Sequence, residues 1–255
     1  MISVVMTAYN AEAHISQAIQ GILGQTEPDW ELIVVDDGST DRTREIVEGF
    51  ADPRIHLVKS MRVGRGFALN IGWHLAKGEY IAIQDADDIS LPIRLGIQRY
   101  ILEQTEDPPD GVGLDQHFFR NDDGDGWQFH CQVTVVKDDV TRLLPLRNPI
   151  SHTSLMVRRA ALSAVGGYDE DRVCLFDWDL ILRLTASGHR LWKIRAPLVA
   201  HRIHRGQFFE GGRRLRYIWE CAKMQARAVR LLKRNPLLYL AIPPLFLYRL
   251  ARRWR

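Results

Sequence analysis

Three carboxylates lie within four consecutive positions of this chain, in the segment Asp85-Ala86-Asp87-Asp88. They follow Tyr80-Ile81-Ala82-Ile83-Gln84, an apolar run with the composition of a buried β-strand. Carboxylates this close together repel, and each raises the pKa of the others unless a cation neutralises them. Such oxygen ligands bind Mg²⁺ or Mn²⁺, and an ion held by few carboxylates keeps positions open for phosphate oxygens. The alternative is an exposed acidic turn that caps a helix beginning near Pro92.

The elements that must position these carboxylates repeat one order along the chain: a strand, a polar loop and a helix. Residues 2–6 and 31–35 have strand character, and each run ends in a polar segment, residues 7–10 and 36–41. This order predicts βαβ units, in which ligands bind beyond the carboxyl ends of the strands. We therefore expect these two polar segments to converge with residues 85–88 on one cleft. The chain has neither Gly-x-Gly-x-x-Gly nor a Walker lysine loop, so a bound metal would hold the phosphate.

Three motifs resemble those of a known family: Val4-Val5-Met6-Thr7-Ala8-Tyr9-Asn10, Val34-Val35-Asp36-Asp37-Gly38-Ser39-Thr40-Asp41 and Asp85-Ala86-Asp87-Asp88. In this order and at these separations, roughly the first hundred residues resemble the family 2 glycosyltransferases of the GT-A fold. The resemblance implies an α/β fold, with a Rossmann-like, mixed and largely parallel sheet flanked by helices. It also implies an inverting enzyme that takes a sugar from a nucleotide-sugar donor, usually a UDP-sugar. A divalent metal, Mn²⁺ or Mg²⁺, would bridge the Asp-x-Asp motif and the diphosphate.

The resemblance assigns a donor site to the first half of the chain. Tyr9 would stack on the nucleobase, Asp37 would accept its N–H, and Asp85 would assist the metal or hold the ribose. Asp87 would be the principal metal ligand, and His204, in a segment similar to the family's Tyr-Arg-x-His element, would reach the metal or the diphosphate. The implied donor-binding residues are Thr7, Ala8, Tyr9, Asn10, Asp36, Asp37, Arg65, Asn70, Asp85 and Ala86, and the implied metal ligands are Asp87, Asp85 and His204.

Alternatives stay open at two of these positions. Asn70 would serve equally to cap or bridge local backbone. The family often has an arginine just before this asparagine, where this chain has Leu69. Arg62 or Arg65 would then supply the missing donor contact. The segment that contains His204 would otherwise be a solvated basic loop.

The second half of the chain carries the implied acceptor site. Asp177 opens a predicted helix, at the position where family members have the general base, and such a base contributes roughly 10²–10⁴-fold to the rate. Phe176 stands where the family usually has glutamate. The implied acceptor-binding residues are His152, Trp178, which would stack on a sugar face, and Asp179, the substitute base. A helix N-cap is the alternative for Asp177, and a structural histidine is the alternative for His152.

Composition separates a catalytic domain from a basic tail. The chain is 46% hydrophobic and 25% charged, as in an ordinary globular enzyme. We expect a GT-A domain over residues 1–211, divided into a donor half, 1–100, and an acceptor half, 101–211. A helical tail would follow over residues 212–255. From Arg213 to the end, twelve Lys or Arg accompany one acidic residue, a local charge of +11, whereas the rest of the chain carries −8. A body this acidic argues against nucleic-acid binding.

The tail contains an uncharged stretch rich in Leu and aromatic residues, 237–248, between two basic clusters. This pattern predicts an interfacial anchor on the inner face of the cell membrane, where the acceptor would be a lipid-linked glycan. The alternative is a helical hairpin that packs on the domain or on a second copy in a homodimer. No apolar run reaches the roughly 20 residues of a spanning helix. Three scattered cysteines predict a reducing compartment, and we expect no secretory leader, hence a cytoplasmic protein.

The sequence therefore favours a hexosyltransferase of cell-surface polysaccharide synthesis. Two other functions stay open. One is a non-catalytic nucleotide-sugar sensor, which the replacements at Leu69 and Phe176 make conceivable. The other is a sugar nucleotidyltransferase, which the missing glycine- and lysine-rich phosphate loop disfavours.

Overall fold

The computed structural model describes residues 1–119, 134–204 and 214–251. The first part alternates strands and helices, as the sequence predicts. Its elements are β1 (Ile2–Ala8), α1 (Ile15–Leu23), β2 (Trp30–Asp37), α2 (Thr43–Glu48), β3 (Ile55–Ser60), α3 (Arg65–Leu75) and β4 (Tyr80–Asp85). The predicted domain boundary at residue 211 and the last four basic-cluster residues, 252–255, lie outside the described residues.

The second part contains shorter elements and one long strand. Its elements are β5 (Ile89–Ser90), α4 (Arg94–Gln104), β6 (Gly111–Phe119), β7 (Thr134–Asp139), α5 (Val140–Leu143), β8 (Met156–Arg158), α6 (Arg159–Ala164), α7 (Phe176–Ala186) and β9 (Leu191–Arg202). A 3₁₀ turn, His152–Ser154, precedes β8. The tail forms α8 (Arg214–Leu231), a 3₁₀ segment (Pro236–Ala241) and α9 (Ile242–Ala251).

The described strands form one nine-stranded sheet in the order β3-β2-β1-β4-β8-β6-β9-β5, and β7 pairs with β9. The four strands of the first part are parallel, whereas β8 is antiparallel to both β4 and β6. Strands β6 and β9 are parallel, and β5 and β7 run antiparallel to β9. This is the mixed, helix-flanked sheet that the sequence predicts.

Helices cover both faces of the sheet, because its central strands are apolar on both sides. Side chains alternate along β1, as the two-residue period of a strand requires. Val5 packs in one core cluster with Leu69 of α3 and Leu180 of α7. Its neighbour Val4 points to the opposite face, in the cluster that contains Ile19 of α1. Both valines are fully buried, so the end of β1 is fixed from both sides.

The tail divides into a helix that packs on the domain and a segment that stays largely exposed. Ile218 and Ala228 of α8 are fully buried. In contrast, Leu237 and Leu240 are 67% and 71% exposed. The alternative of a tail folded onto the domain therefore holds for α8, and the apolar stretch 237–248 keeps much of its surface uncovered. None of the described helices is both long enough and apolar enough to cross a membrane.

Candidate active site

The carboxyl ends of β1, β2 and β4 meet at one edge of the sheet. Thr7 of β1 pairs in register with Asp85 of β4, and Ala8 pairs with Asp36 of β2. Parallel pairing dictates this result, because parallel strands end at the same edge. Ala8 and Ala86 are small buried side chains at this edge. The predicted convergence of the three polar segments is therefore confirmed.

The acidic segment contains one carboxylate that supports the structure. One oxygen from each of Asp85, Asp87 and Asp88 lies within 4.8 Å of the others. Asp88 is fully buried, lies 2.9 Å from His201 Nδ1 and accepts the Arg202 amide at 3.0 Å. Burial raises the pKa of Asp88, and the hydrogen bond with His201 opposes that rise. Asp88 thus joins the acidic segment to the end of β9.

Asp87 and His204 face the cleft together. The side chain of Asp87 is 30% exposed and that of His204 is 23% exposed. His204 Nε2 lies 3.0 Å from Asp87 Oδ2. The ring of His14, just before α1, lies 4.7 Å from the ring of His204. The structure thus brings together the two residues that were predicted to share a metal.

Asp85 lies in a charged network. Arg65 Nη2 donates a hydrogen bond to Asp85 Oδ1, and His152 Nδ1 lies 3.7 Å from the same oxygen. Burial raises the pKa of Asp85, but Arg65 and His152 outweigh this effect and hold it well below its usual range. Asp85 therefore stays ionised. His152 Nε2 lies 2.9 Å from the Tyr168 hydroxyl, so the histidine links the acidic segment to the loop before α7.

A buried arginine, Arg94, supports the acidic segment through hydrogen bonds to the strand before it. Arg94 is fully buried and donates to Gln84 Oε1 at 2.9 Å and to the Ile83 carbonyl at 2.7 Å. Gln84 Nε2 in turn donates to the carbonyls of Asp85 and Asp88 at 3.0 and 2.8 Å. Burial lowers the pKa of Arg94 to about 10, so it remains a cation at neutral pH. This residue was not predicted, because an arginine near a helix start is usually exposed.

Tyr9 and the loop after β3 form the part of the cleft where the nucleobase is predicted to bind. Tyr9 is 42% exposed, and the Arg62 guanidinium lies 3.3 Å from the centre of its ring. Asp37 accepts hydrogen bonds from the amides of Val63 at 2.6 Å and Gly64 at 3.0 Å. Gly64 has φ +94°, a conformation that suits glycine. Asp37 therefore shapes the loop that lies beside Tyr9.

Asp36 and Asn10 hold the loop after β2. Asp36 is fully buried, pairs with Arg44 and accepts the Ser39 amide at 3.3 Å. Asn10 Oδ1 accepts the Thr40 amide at 2.9 Å. The Asp36 carboxylate is thus held by the protein itself, and its donor-binding role stays a prediction. Asn10 stays exposed at the cleft edge.

Asn70 bridges two distant parts of the chain. Its Nδ2 donates to the Tyr168 carbonyl at 2.9 Å and to Glu170 Oε1 at 2.8 Å. Its Oδ1 accepts the Tyr168 amide at 2.8 Å and the Trp73 indole N–H at 2.8 Å. Asn70 is only 6% exposed. The structure therefore favours the bridging alternative over donor binding, because these partners use both ends of the amide.

Asp177 lies half-buried in the first turn of α7. Its Oδ2 accepts a hydrogen bond from Asn148 Nδ2 at 2.8 Å. Asn148 lies in the segment before β8 and was not among the predicted site residues. The ring of Phe176 lies 5.3 Å from the ring of His152 and 5.2 Å from the Arg65 guanidinium. Phe176 thus places an aromatic ring beside the cleft, at the position where the family usually has glutamate.

Arg65 connects the two halves of the site electrostatically. Burial lowers the pKa of its guanidinium, but Asp85 outweighs that effect, and Asp87 and Asp177 also raise it. Arg65 also lies 5.2 Å from the ring of Phe176, the residue before Asp177, so it lies between the acidic segment and the start of α7. The candidate base and the candidate metal ligands therefore share this arginine.

Two predicted acceptor residues point away from the cleft. Trp178 is 2% exposed, and its indole N–H donates to the Leu144 carbonyl at 3.1 Å. Asp179 is fully buried and paired with arginines. Successive side chains of a helix are rotated by about 100°, so neighbours of Asp177 face the core when Asp177 faces the cleft. Both side chains thus lie in the core, and their acceptor-binding roles stay predictions.

Comparison with known proteins identifies the family. Residues 3–166 match the sequence model of the family described as Glycosyl transferase family 2. An uncharacterised glycosyltransferase of Methanocaldococcus jannaschii is 30% identical over 208 residues, which cover 80% of this chain and 71% of that protein. The Escherichia coli UDP-Glc:alpha-D-GlcNAc-diphosphoundecaprenol beta-1,3-glucosyltransferase WfgD is 41% identical over 99 residues, or 38% of this chain and 39% of that protein. The mannosyltransferase PcManGT of Pyrobaculum calidifontis, solved with GDP-Man and Mn²⁺, has the same fold, with a TM-score of 0.70 and 22% identity over 98% of this chain and 74% of that one.

Proposed function

The chain belongs to glycosyl transferase family 2 and is a glycosyltransferase with the GT-A fold, and we propose that it transfers a sugar from a UDP-sugar to a glycan hydroxyl with inversion. The observation that carries the proposal is the position of Arg65, which donates a hydrogen bond to Asp85 and lies 5.2 Å from the ring of Phe176, the residue before Asp177. A direct displacement needs a base on one side of the sugar and a held leaving group on the other. In this proposal Asp177 would be the base on one side, and the acidic segment with Arg65 would hold the leaving group on the other.

The acidic segment fits a divalent metal. Asp87 and His204 are both partly exposed and lie 3.0 Å apart, and an Asp85 oxygen lies within 4.8 Å of an Asp87 oxygen. Two carboxylates and an imidazole suit Mn²⁺ as well as Mg²⁺. Asp87 would be the principal ligand, with Asp85 and His204 assisting, and PcManGT was solved with Mn²⁺. When bound, the ion would neutralise charge that develops on the leaving diphosphate.

The chain's own residues would carry the remaining steps. Asp177 would accept the proton of the acceptor hydroxyl while that oxygen bonds to the anomeric carbon, on the face opposite the diphosphate. Asn148 donates a hydrogen bond to Oδ2 of this carboxylate at 2.8 Å, and Oδ1 would accept the proton. Tyr9, with 42% of its surface exposed, would stack on the base. Arg65 would remain charged beside the leaving diphosphate.

The proposed substrates follow from the relatives. WfgD takes UDP-Glc according to its name, which supports a UDP-sugar donor, whereas PcManGT binds GDP-Man. The name of WfgD also specifies a sugar on diphosphoundecaprenol. We extend this class to the present chain, so the acceptor would be a lipid-linked glycan in the synthesis of a cell-surface polysaccharide.

We also propose that the tail holds the enzyme on the cytoplasmic face of a membrane. Leu237, Leu240 and Leu247 are 67%, 71% and 62% exposed. They belong to a segment that carries a net charge of +11 from residue 213 to 255. Exposed leucines would enter the interface, and each Lys or Arg near an anionic leaflet contributes about 1 kcal/mol. Helix α8, packed on the domain, would keep the cleft near a lipid-linked acceptor.

A donor screen with the full chain tests the catalytic proposal. The protein is incubated with UDP-sugars and GDP-sugars, with and without Mn²⁺, and release of nucleoside diphosphate is measured as donor hydrolysis, in which water takes the place of the acceptor hydroxyl. One donor is expected to turn over, and Asp177→Asn should lower its turnover by at least roughly 10²-fold with donor affinity unchanged. Asp171→Asn, the same change at an exposed position before α7, is the matched control.

The alternatives predict different results in this screen. A non-catalytic sensor would bind a donor and release no nucleoside diphosphate from it. A nucleotidyltransferase would also release no nucleoside diphosphate, and in a separate incubation it would join a sugar 1-phosphate to a nucleoside triphosphate, giving a nucleotide sugar and pyrophosphate. Normal turnover of Asp177→Asn would show that another residue is the base.

A further inference from the structure

Asp179 is a buried carboxylate surrounded by three arginines. It is fully buried, with Arg183 Nε 2.7 Å from Oδ2 and Arg172 Nε 3.2 Å from Oδ1. Arg227 Nη1 donates a hydrogen bond to Oδ1. These cations come from α7 itself, from the loop before it and from the tail helix α8. Because an unpaired buried charge is costly, the position of Asp179 depends on them.

The turn that begins α7 is strained. Leu175, directly before the helix, has φ 57° and ψ 24°, and no side chain caps the helix N-terminus. Bulky residues adopt this left-handed conformation only where the surrounding structure forces it. Asp177 follows two residues later. The direction of its carboxylate therefore depends on whatever holds this turn in place.

The contacts that hold the turn come from its buried side chains. Trp178 donates its indole N–H to the Leu144 carbonyl, and Asp179 forms the ion pairs with the arginines. Arg227 is the member of this set that the tail supplies. Its neighbours Met224 and Ala228 on α8 are 2% and 0% exposed and belong to the core cluster that contains Trp178. Arg227 is thus anchored in a packed helix and reaches into the first turn of α7.

We propose that Arg227 is a positioning residue for glycosyl transfer: through Asp179 it fixes the first turn of α7, and with it the carboxylate of Asp177. The inference rests on the proposed role of Asp177 as the base. The proposal gives helix α8 of the tail a role in the reaction that is separate from the proposed membrane contact. A catalytic group displaced by about 1 Å can lose about 10²-fold in rate. The donor, on the other side of Arg65, would bind as before.

The test is Arg227→Ala in the full chain, assayed with the donor that the screen identifies. We expect kcat to fall roughly tenfold or more, with the donor KM and the affinity for UDP within about twofold of wild type. Arg227→Lys restores a cation and should recover most of the kcat. Arg99→Ala is the matched control, because Arg99 is also mostly buried, at 28% exposure, and paired with three carboxylates, Glu27, Asp29 and Glu103.

The control separates positioning from stability. The carboxylate partners Glu27 and Asp29 precede β2, so Arg99 lies at the edge of the sheet opposite the cleft. Arg99→Ala should therefore lower Tm about as much as Arg227→Ala and leave kcat within about twofold of wild type. An Arg227→Ala enzyme with wild-type kcat overturns the inference. An equal fall of kcat in Arg99→Ala overturns it as well.

A further variant keeps the inference testable if Arg227→Ala does not fold. Asp179→Asn preserves side-chain volume and is expected to lower kcat with the donor KM unchanged. Asp177→Asn is measured alongside it. Normal turnover of Asp177→Asn refutes the proposed base. An inactive Asp177→Asn together with wild-type kcat in Asp179→Asn refutes the positioning role alone.

Discussion

His204 Nε2 and Asp87 Oδ2 lie 3.0 Å apart although the two residues are 117 positions apart in the sequence. The first follows β9 and the second follows β4. Asp88 draws these two ends together, because its buried carboxylate contacts His201 and the Arg202 amide. The candidate metal ligands are thus assembled by the fold, with Asp88 as the structural link between them.

Loss of Asp87 is expected to remove metal-dependent activity. Asp87→Asn takes away the negative charge of the proposed principal ligand, so Mn²⁺ affinity should fall by at least about tenfold. His204→Ala should lower the Mn²⁺ affinity less. Electron paramagnetic resonance of free Mn²⁺ measures the affinity. Asp171→Asn is the control for a lost surface carboxylate. Wild-type enzyme that keeps full activity in EDTA would contradict the metal requirement.

Loss of Asn148 is expected to impair the base without affecting the donor. Asn148→Ala removes the hydrogen bond to Asp177 Oδ2, so the carboxylate loses its orientation, and kcat should fall roughly tenfold. Asn148→Asp should be worse, since it places a second carboxylate against the first. Steady-state kinetics with varied donor measure both effects. An equal loss in kcat and donor affinity would show that Asn148 supports the whole cleft and not the base.

The strand ends of the donor half could be predicted from the sequence, because local patterns determine them. Each apolar run of about six residues ends in polar residues, and parallel pairing then brings the ends together. Thr7 opposite Asp85 is the direct consequence. The pairing of β8, β6 and β9 could not be predicted in the same way, since their partners are far apart along the chain.

The direction of individual side chains was the less predictable part of the site. Asp179 and Asn70 looked like cleft residues because both are polar and close to a motif. Their burial is decided by partners that no local pattern reveals: Arg227, 48 residues after Asp179, and Tyr168, 98 residues after Asn70. Arg94 was missed for the same reason. Its hydrogen-bond acceptors are Gln84 and the Ile83 carbonyl in β4, and no local pattern reveals this contact.

Asn70→Ala is expected to lower stability more than donor affinity. The change leaves the amide and carbonyl of Tyr168 and the indole of Trp73 without their partner. Each unpaired buried group costs about 1–3 kcal/mol, so with three such groups the free energy of unfolding should fall by at least roughly 3 kcal/mol. Urea denaturation measures it. Asn235→Ala, which removes one exposed cap bond, should cost about 1 kcal/mol or less.

The alternative for Asn70, direct donor contact, predicts the reverse pattern. Stability would then stay near that of wild type, and binding of UDP, followed by calorimetry, would weaken by tenfold or so. That result would contradict the bridging role.

Truncation after Asn235 is expected to abolish binding to anionic membranes and leave the domain folded. The buried residues of α8, such as Ile218 and Ala228, all precede the cut, whereas the exposed Leu237, Leu240 and Leu247 follow it. Liposome flotation with phosphatidylglycerol vesicles measures binding. The full chain should float with these vesicles, less so as salt rises, because screening weakens the attraction of the basic tail to the lipid charge. Truncated protein should stay at the bottom.

Point variants distinguish lipid contact from a second copy of the chain. Leu240→Glu should weaken flotation, because it places a charge in the proposed interface, whereas Tyr100→Glu changes an equally exposed residue of α4 and should not. If a second copy of the chain covers the leucines instead, light scattering should give a molar mass of twice the 29.3 kDa of one chain. Truncation should then reduce the molar mass to that of a monomer. Equal flotation with neutral and anionic vesicles would contradict the electrostatic part of the anchor, and a dimer that ignores lipid would contradict the anchor itself.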